Sequence, residues 1–136
     1  MNHSRTLDKP DFEQLSEFRY QMRRFERFSE RAAQDEGITP LQYLLLLHIK
    51  GYPRRNWATV GELAERMQSH HHGVVALVTR CEAAGLVRRA QSAEDRRQVQ
   101  VFLEARGEQV LARLAALHRA ELKSLEGAFR VPQIDL

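Results

Sequence analysis

The sequence predicts a mainly α-helical fold carrying one small β-hairpin. Three observations predict it. Apolar residues recur at three- and four-residue steps at both ends of the chain and through its middle. Two short helical segments are joined by a tight turn before Gly85. Directly after Gly85 the period changes from 3.6 to two.

The first helix spans 11–36. Phe12, Leu15, Phe18, Met22, Phe25 and Phe28 form one stripe, a heavy apolar load for a terminal helix, and a second copy of the chain is the expected cover. Gly37 breaks it. Thr39-Pro40-Leu41-Gln42 then opens a second helix, with Thr39 as N-cap, Pro40 at the first helical position and Gln42 closing a capping box. Leu41, Tyr43, Leu44, Leu45, Leu47 and Ile49 make it apolar nearly all round, which predicts a buried central helix. Gly51 and Pro53 end it, and Tyr52 to Ala58 reads as irregular.

Thr59-Val60-Gly61-Glu62 is a second capping box, opening a short helix whose inward face is Val60, Leu63, Ala64 and Met67. Gln68-Ser69 is the turn, with Ser69 expected to cap the next helix. That helix carries Val74, Val75, Leu77, Val78 and Cys81 inward and ends at Gly85. Leu86 to Arg89 reads as a strand, and Val99, Val101 and Leu103 alternate in a second. Between them lies the polar, turn-rich stretch Gln91 to Arg97. A hairpin with a charged tip, placed directly after the second of two short helices, is a wing. Residues 104–129 return to helical spacing through Val110, Leu111, Leu114, Leu117, His118, Leu122, Leu125 and Phe129. The whole, 1–136, reads as one domain: a winged helix-turn-helix at 52–103 bracketed by dimerisation helices at 11–36 and 104–129.

Composition agrees with an ordinary globular chain: 43% hydrophobic and 29% charged residues exclude a disordered class. The formal charge of +3 and pI near 9.4 are a mild basic bias. Between Arg54 and Arg106 every Lys/Arg position is Arg, whose planar fork suits phosphate and guanine edges. The single cysteine, Cys81, excludes an intramolecular disulfide and a four-cysteine zinc site. Its place on an apolar helix face suits core packing rather than redox switching. The N-terminal stretch lacks the apolar core of a signal peptide, and the longest strongly apolar run, Tyr43 to Leu47, is far too short to span a bilayer. A cytoplasmic protein with no membrane partner is expected. Gly-rich phosphate loop, nucleophile elbow and His-Glu-x-x-His are all missing from the sequence, so an enzyme is not expected, nor is a cofactor.

The order of elements resembles the MarR family of bacterial transcription regulators. Gly37-Ile38-Thr39-Pro40-Leu41-Gln42-Tyr43, Val60-Gly61-Glu62-Leu63-Ala64, Glu82-Ala83-Ala84-Gly85-Leu86-Val87, and Asp95-Arg96-Arg97 followed by Val99, Val101 and Leu103 carry the resemblance over nearly the whole chain. The resemblance implies a homodimer held by the terminal helices. It also implies operator binding, usually as a repressor, and release by a small aromatic or anionic effector. The sequence departs from the family pattern at His70-His71-His72-Gly73, Ala76, Cys81 and Glu104.

The candidate DNA-binding residues are Ser69, His70, His71, His72 and Gly73 at the start of the recognition helix, Arg80 on its polar side, and Asp95, Arg96 and Arg97 at the wing tip. Arg80 has two readings, a phosphate contact or a pair with Asp95. A dimer would set two such helices in successive major grooves of a pseudo-palindromic operator. Two alternatives stand beside this: a dimeric protein-interaction module that does not read DNA, and a metal-responsive regulator using His70, His71 and His72. Against the latter, consecutive helical residues point in different directions, so no metal site is assigned. Histidines at the groove would make DNA affinity pH-dependent between roughly 5 and 7. Tyr20, Tyr43, His48 and Trp57 are candidate linings of an effector pocket.

Overall fold

The computed structural model describes residues 6–127 and 129–133. Five helices and three strands follow in the order α1 (Lys9–Asp35), α2 (Pro40–Lys50), β1 (Trp57–Thr59), α3 (Val60–Met67), α4 (His71–Ala83), β2 (Val87–Gln91), β3 (Val99–Leu103) and α5 (Ala105–Ser124). Among the described residues no helix is long and apolar enough to cross a membrane.

The local chemistry sets the boundaries. Asp8 precedes α1, and its N–H donates to the Asp11 carboxylate at 3.0 Å. The Thr39 hydroxyl accepts the Gln42 N–H at 3.1 Å while the Gln42 side chain accepts the Thr39 N–H at 2.9 Å, so two orphan donors of α2 are satisfied reciprocally. Thr59 and Glu62 repeat the device on α3 at 3.1 and 2.8 Å. At the end of α4, Gly85 takes φ +75, and Leu86 N–H reaches the Cys81 carbonyl at 2.9 Å. That left-handed C′ residue closes a Schellman motif and aims the chain into β2.

The core is one cluster in which Leu45, Leu46 and Ile49 of α2, Leu63 of α3, Val74 and Val78 of α4, Leu86, Val101, and Leu114 of α5 are fully buried. Helix α2 is its hub but is not buried all round: Leu41, Leu44 and Leu47 are exposed. An eleven-residue helix packed along one side leaves the other in water within a single chain. Helix α1, about 40 Å long at 1.5 Å per residue, likewise leaves Phe12 and Leu15 exposed.

Other boundaries moved. The stretch expected to be irregular holds β1, whose Trp57, Ala58 and Thr59 pair antiparallel with Phe102, Val101 and Gln100. The sheet is therefore three-stranded, in the order β1-β3-β2, rather than a lone hairpin. Three residues are too few to show alternation, and only the neighbouring β3 makes them a strand. Strand β2 runs to Gln91, two residues past the expected end. Helix α5 stops at Ser124, and Phe129 beyond it packs against Phe18 at 5.6 Å. Its start docks closely: a Cβ on Gly107 would lie 2.2 Å from the Leu86 carbonyl oxygen, which also accepts the Glu104 N–H at 2.9 Å.

Candidate nucleic-acid interface

The helix-turn-helix is built from α3, a two-residue turn and α4. Gln68 adopts the left-handed conformation (φ 50), and Ser69 N–H returns to the Ala64 carbonyl at 3.0 Å. The residue at the N-cap of α4 is His70, not Ser69, and its side chain makes no capping bond. The turn consumes Ser69 in closing α3, so the cap falls one residue later. Val74, Leu77, Val78 and Cys81 anchor α4 to the core, and His70, His71, His72, Thr79 and Arg80 stay exposed on the outside.

The three histidines diverge. The rings of His70 and His72 stack nearly parallel, with centroids 5.7 Å apart. His71 turns toward the wing. With Thr59, Val60, Gly61, Val75, Arg89, Arg97, Gln98 and Val99 it lines a groove of about 340 Å³. Among the described residues no three or more His, Cys, Asp or Glu side chains are arranged to hold a metal ion.

The wing tip is ordered by its own side chains. Buried Ser92 accepts the N–H groups of Glu94 and Asp95 at 3.3 and 3.2 Å. Asp95 accepts the Arg97 N–H at 3.0 Å and pairs with its guanidinium at 3.3 Å. Gln91 donates to the Arg96 carbonyl at 2.8 Å. Arg97 is nevertheless 92% exposed, so its charge is aimed but unburied. Asp95 is engaged by Arg97, and among the described residues no pair joins it to Arg80.

Several arginines between Arg54 and Arg106 are occupied internally. Arg89 pairs with Glu82 at 2.9 Å, Arg106 donates to the Ala84 carbonyl, and Arg55 pairs with Glu62. The Arg89 main-chain and side-chain bonds hold Glu82 below the usual carboxylate range. Glu62 is also held low. Burial works against this, but the Thr59 N–H, the Tyr52 hydroxyl, Arg55 and the Thr59 hydroxyl together outweigh it. Cys81 is fully buried, and desolvation pushes its thiol up to about 11 against the weak opposing charge of Arg80.

The four residues considered for an effector pocket lie on α1 (Tyr20), α2 (Tyr43 and His48) and β1 (Trp57). Tyr43 is buried and stacks on His118 at 4.7 Å; burial raises its phenol. His48, half-buried on α2, is lowered by burial and then by the charge of Arg66. Trp57 lies between Arg55 and Phe102. Tyr20 borders an open groove of about 370 Å³ lined by Arg23, Arg24, Arg27, Phe28, Arg31 and Glu121, where Arg23 also pairs with Glu26 and Arg27 with Glu30. Residue spacing could not separate these positions, because contacts across elements decide which of them meet.

Sequence reasoning also missed His118. Its Nδ1–H donates to the Leu114 carbonyl at 2.7 Å, leaving Nε2 to accept the Ser29 hydroxyl at 2.8 Å. Phe25 and Phe28 meet the ring edge-on. Spacing marked His118 as one more position of an apolar stripe, and it gave no sign of a polar pair to α1.

The family model described as the MarR family matches residues 36–98, from the end of α1 to the wing tip. No curated protein matches the chain. Among solved structures, AbsC, a MarR family transcriptional regulator from Streptomyces coelicolor, superposes with a TM-score of 0.78 at 22% identity, over 95% of this chain and 86% of that one. A MarR family protein from Bacillus stearothermophilus superposes at 0.75 and 22% identity, over 92% and 86%. A point mutant of MepR from S. aureus, solved bound to an oligodeoxyribonucleotide, superposes at 0.67 and 18% identity, over 80% and 78%. The family model spans a little under half of the chain, and the likeness to these solved structures shows the winged helix-turn-helix fold.

Proposed function

We propose that the chain is a homodimeric transcription regulator that reads duplex DNA with α4 and the wing, most simply as a repressor in the cytoplasm. The observation carrying this reading is the shared groove: His71, at the start of α4, and Arg97, at the wing tip, flank one cleft. A helix fixed on its inner face and polar on its outer one, beside an exposed arginine on an ordered loop, fits a major groove and the adjoining minor groove. Ser69, His70, His71, His72 and Gly73 face base edges and nearby phosphate, and Arg80 and Arg96 serve phosphate. Asp95 orients Arg97. The DNA-bound MepR mutant supports the reading by analogy of fold.

The dimer in this reading uses α1 and α5, where Phe12, Leu15, Leu117 and Leu122 stand exposed. Among the described residues, the buried Gln21 side-chain oxygen on α1 also lacks a hydrogen-bond partner. A small aromatic or anionic effector would find a suitable surface in the Tyr20 groove, where Arg24 and Arg31 stand beside Arg23 and Arg27, the latter two paired with Glu26 and Glu30. Binding there would favour a spacing of the two recognition helices that does not fit the operator.

The test is fluorescence anisotropy with the DNA just upstream of the protein's own coding region, at low and physiological salt. Saturable binding that survives non-specific competitor and weakens in Arg97→Ala is expected. A folded dimer that binds no DNA at any salt would overturn the reading in favour of a protein-interaction module.

A further inference from the structure

A continuous stack of rings and guanidiniums crosses the root of the wing. The Arg55 guanidinium lies between two rings, 4.3 Å from the Tyr52 centroid and 4.0 Å from that of Trp57. Trp57 meets Phe102 at 6.1 Å, and Arg88 covers Phe102 at 4.3 Å. The sheet register explains the order, because Trp57 and Arg88 both pair with Phe102, from opposite sides. One end is tied to the helix-turn-helix. Arg55 pairs with Glu62, whose other oxygen accepts the Thr59 N–H at the cap of α3, and Arg66 of α3 reaches the Tyr52 ring at 5.4 Å. The other end is tied to the start of α5, through Arg88 and Glu104 at 3.9 Å.

Arg55 sits where these parts meet. Its side chain is only 25% exposed, with its guanidinium carbon over both the Tyr52 and Trp57 rings and its Nη2 held by the Glu62 carboxylate. It is thus poorly placed to meet a phosphate. A guanidinium is suited to this, since it stacks through its faces and hydrogen-bonds through its edge at once, which an ammonium cannot do. Strand β3 runs from the tip that carries Arg96 and Arg97 to the Phe102 end of the stack.

We infer that Arg55 is a positioning residue: stacked between Tyr52 and Trp57, it fixes the wing sheet to α3 and so sets where Arg96 and Arg97 stand relative to α4. This rests on the operator-binding reading above. It assigns a role in binding to a residue outside the helix-turn-helix and the wing tip, one that does not touch DNA.

Trp57 is the only tryptophan of the chain, so its fluorescence reports the stack without DNA. Arg55→Met should expose Trp57 to iodide quenching while the circular dichroism is unchanged. Its operator affinity should fall about five- to tenfold. The slope of log affinity against log salt should stay at the wild-type value, because no phosphate contact is lost. Arg55→Lys keeps the charge but not the plane and should recover only part of the loss. The deciding measurement is a double-mutant cycle. If Arg55 acts through the wing, Arg55→Met should cost less than about twofold in an Arg97→Ala background; an effect on overall stability would be additive instead.

Additive losses, a salt slope reduced by about one, or full affinity in Arg55→Met with Trp57 released would each overturn this inference while leaving operator binding standing. Absence of wild-type binding to DNA would overturn the operator reading first and this inference with it. Trp57 quenching would then still show whether the stack exists. Should Arg55→Met fail to fold, the same comparisons are made with Arg55→Lys.

Discussion

Single residues divide into those whose chemistry is spent inside the molecule and those left free. Arg97 belongs to the free class although Asp95 holds it, since a surface pair of this kind costs little to share. Arg97→Ala should weaken operator binding and lower the salt slope by about one, measured by titration at several salt concentrations. Cys81 belongs to the spent class. With its thiol raised to about 11, it should resist a thiol reagent at pH 8 in the folded protein and react once urea unfolds the chain. Glu62 is spent too. Its folded-state pKa lies below the ordinary value of 4.5, so its stabilising contribution is present above that pH and is lost as the pH falls below it. The stability gap between wild type and Glu62→Gln, read from denaturant midpoints, should be widest at neutral pH and narrow below about 4.5.

At the scale of elements, caps and close approaches decide where helices begin and how they meet. The capping boxes at Thr39 and Thr59 were legible because their chemistry is local, three residues apart. The approach of Gly107 to Leu86 was not, because nothing within a few residues of Gly107 signals the neighbour that excludes a side chain. Gly107→Ala would drive a methyl into a backbone carbonyl, which should cost at least about 1–3 kcal/mol. A fall in Tm of at least about 5 °C is expected. The same change separates α5 from the end of α4, so any operator binding that remains should be weakened as well. Strand β1 was missed for a related reason: it exists only through its pairing with β3.

At the scale of the whole molecule, the chain closes one core but leaves apolar side chains in water on α1, α2 and α5. Isolated exposed leucines are ordinary, but a row along two terminal helices fits the dimer proposed above. Analytical ultracentrifugation should therefore find a dimer. Leu117→Glu with Leu122→Glu should give a folded monomer that has lost most of its operator affinity, since two half-sites can then no longer be held together.

By itself the sequence determined the helices, the caps of α2 and α3, the switch to strand period after Gly85, and the wing with Asp95 and Arg97 at its tip. All of these rest on interactions between residues a few positions apart, which spacing displays. Only the tertiary structure decided which arginines are free, that Tyr52 to Ala58 supplies a strand, and that Arg55 and His118 sit at junctions. Those outcomes depend on partners 7 to 89 positions away, such as Glu62 for Arg55 and Ser29 for His118. No local pattern in the chain encodes which of many candidates packing will bring near.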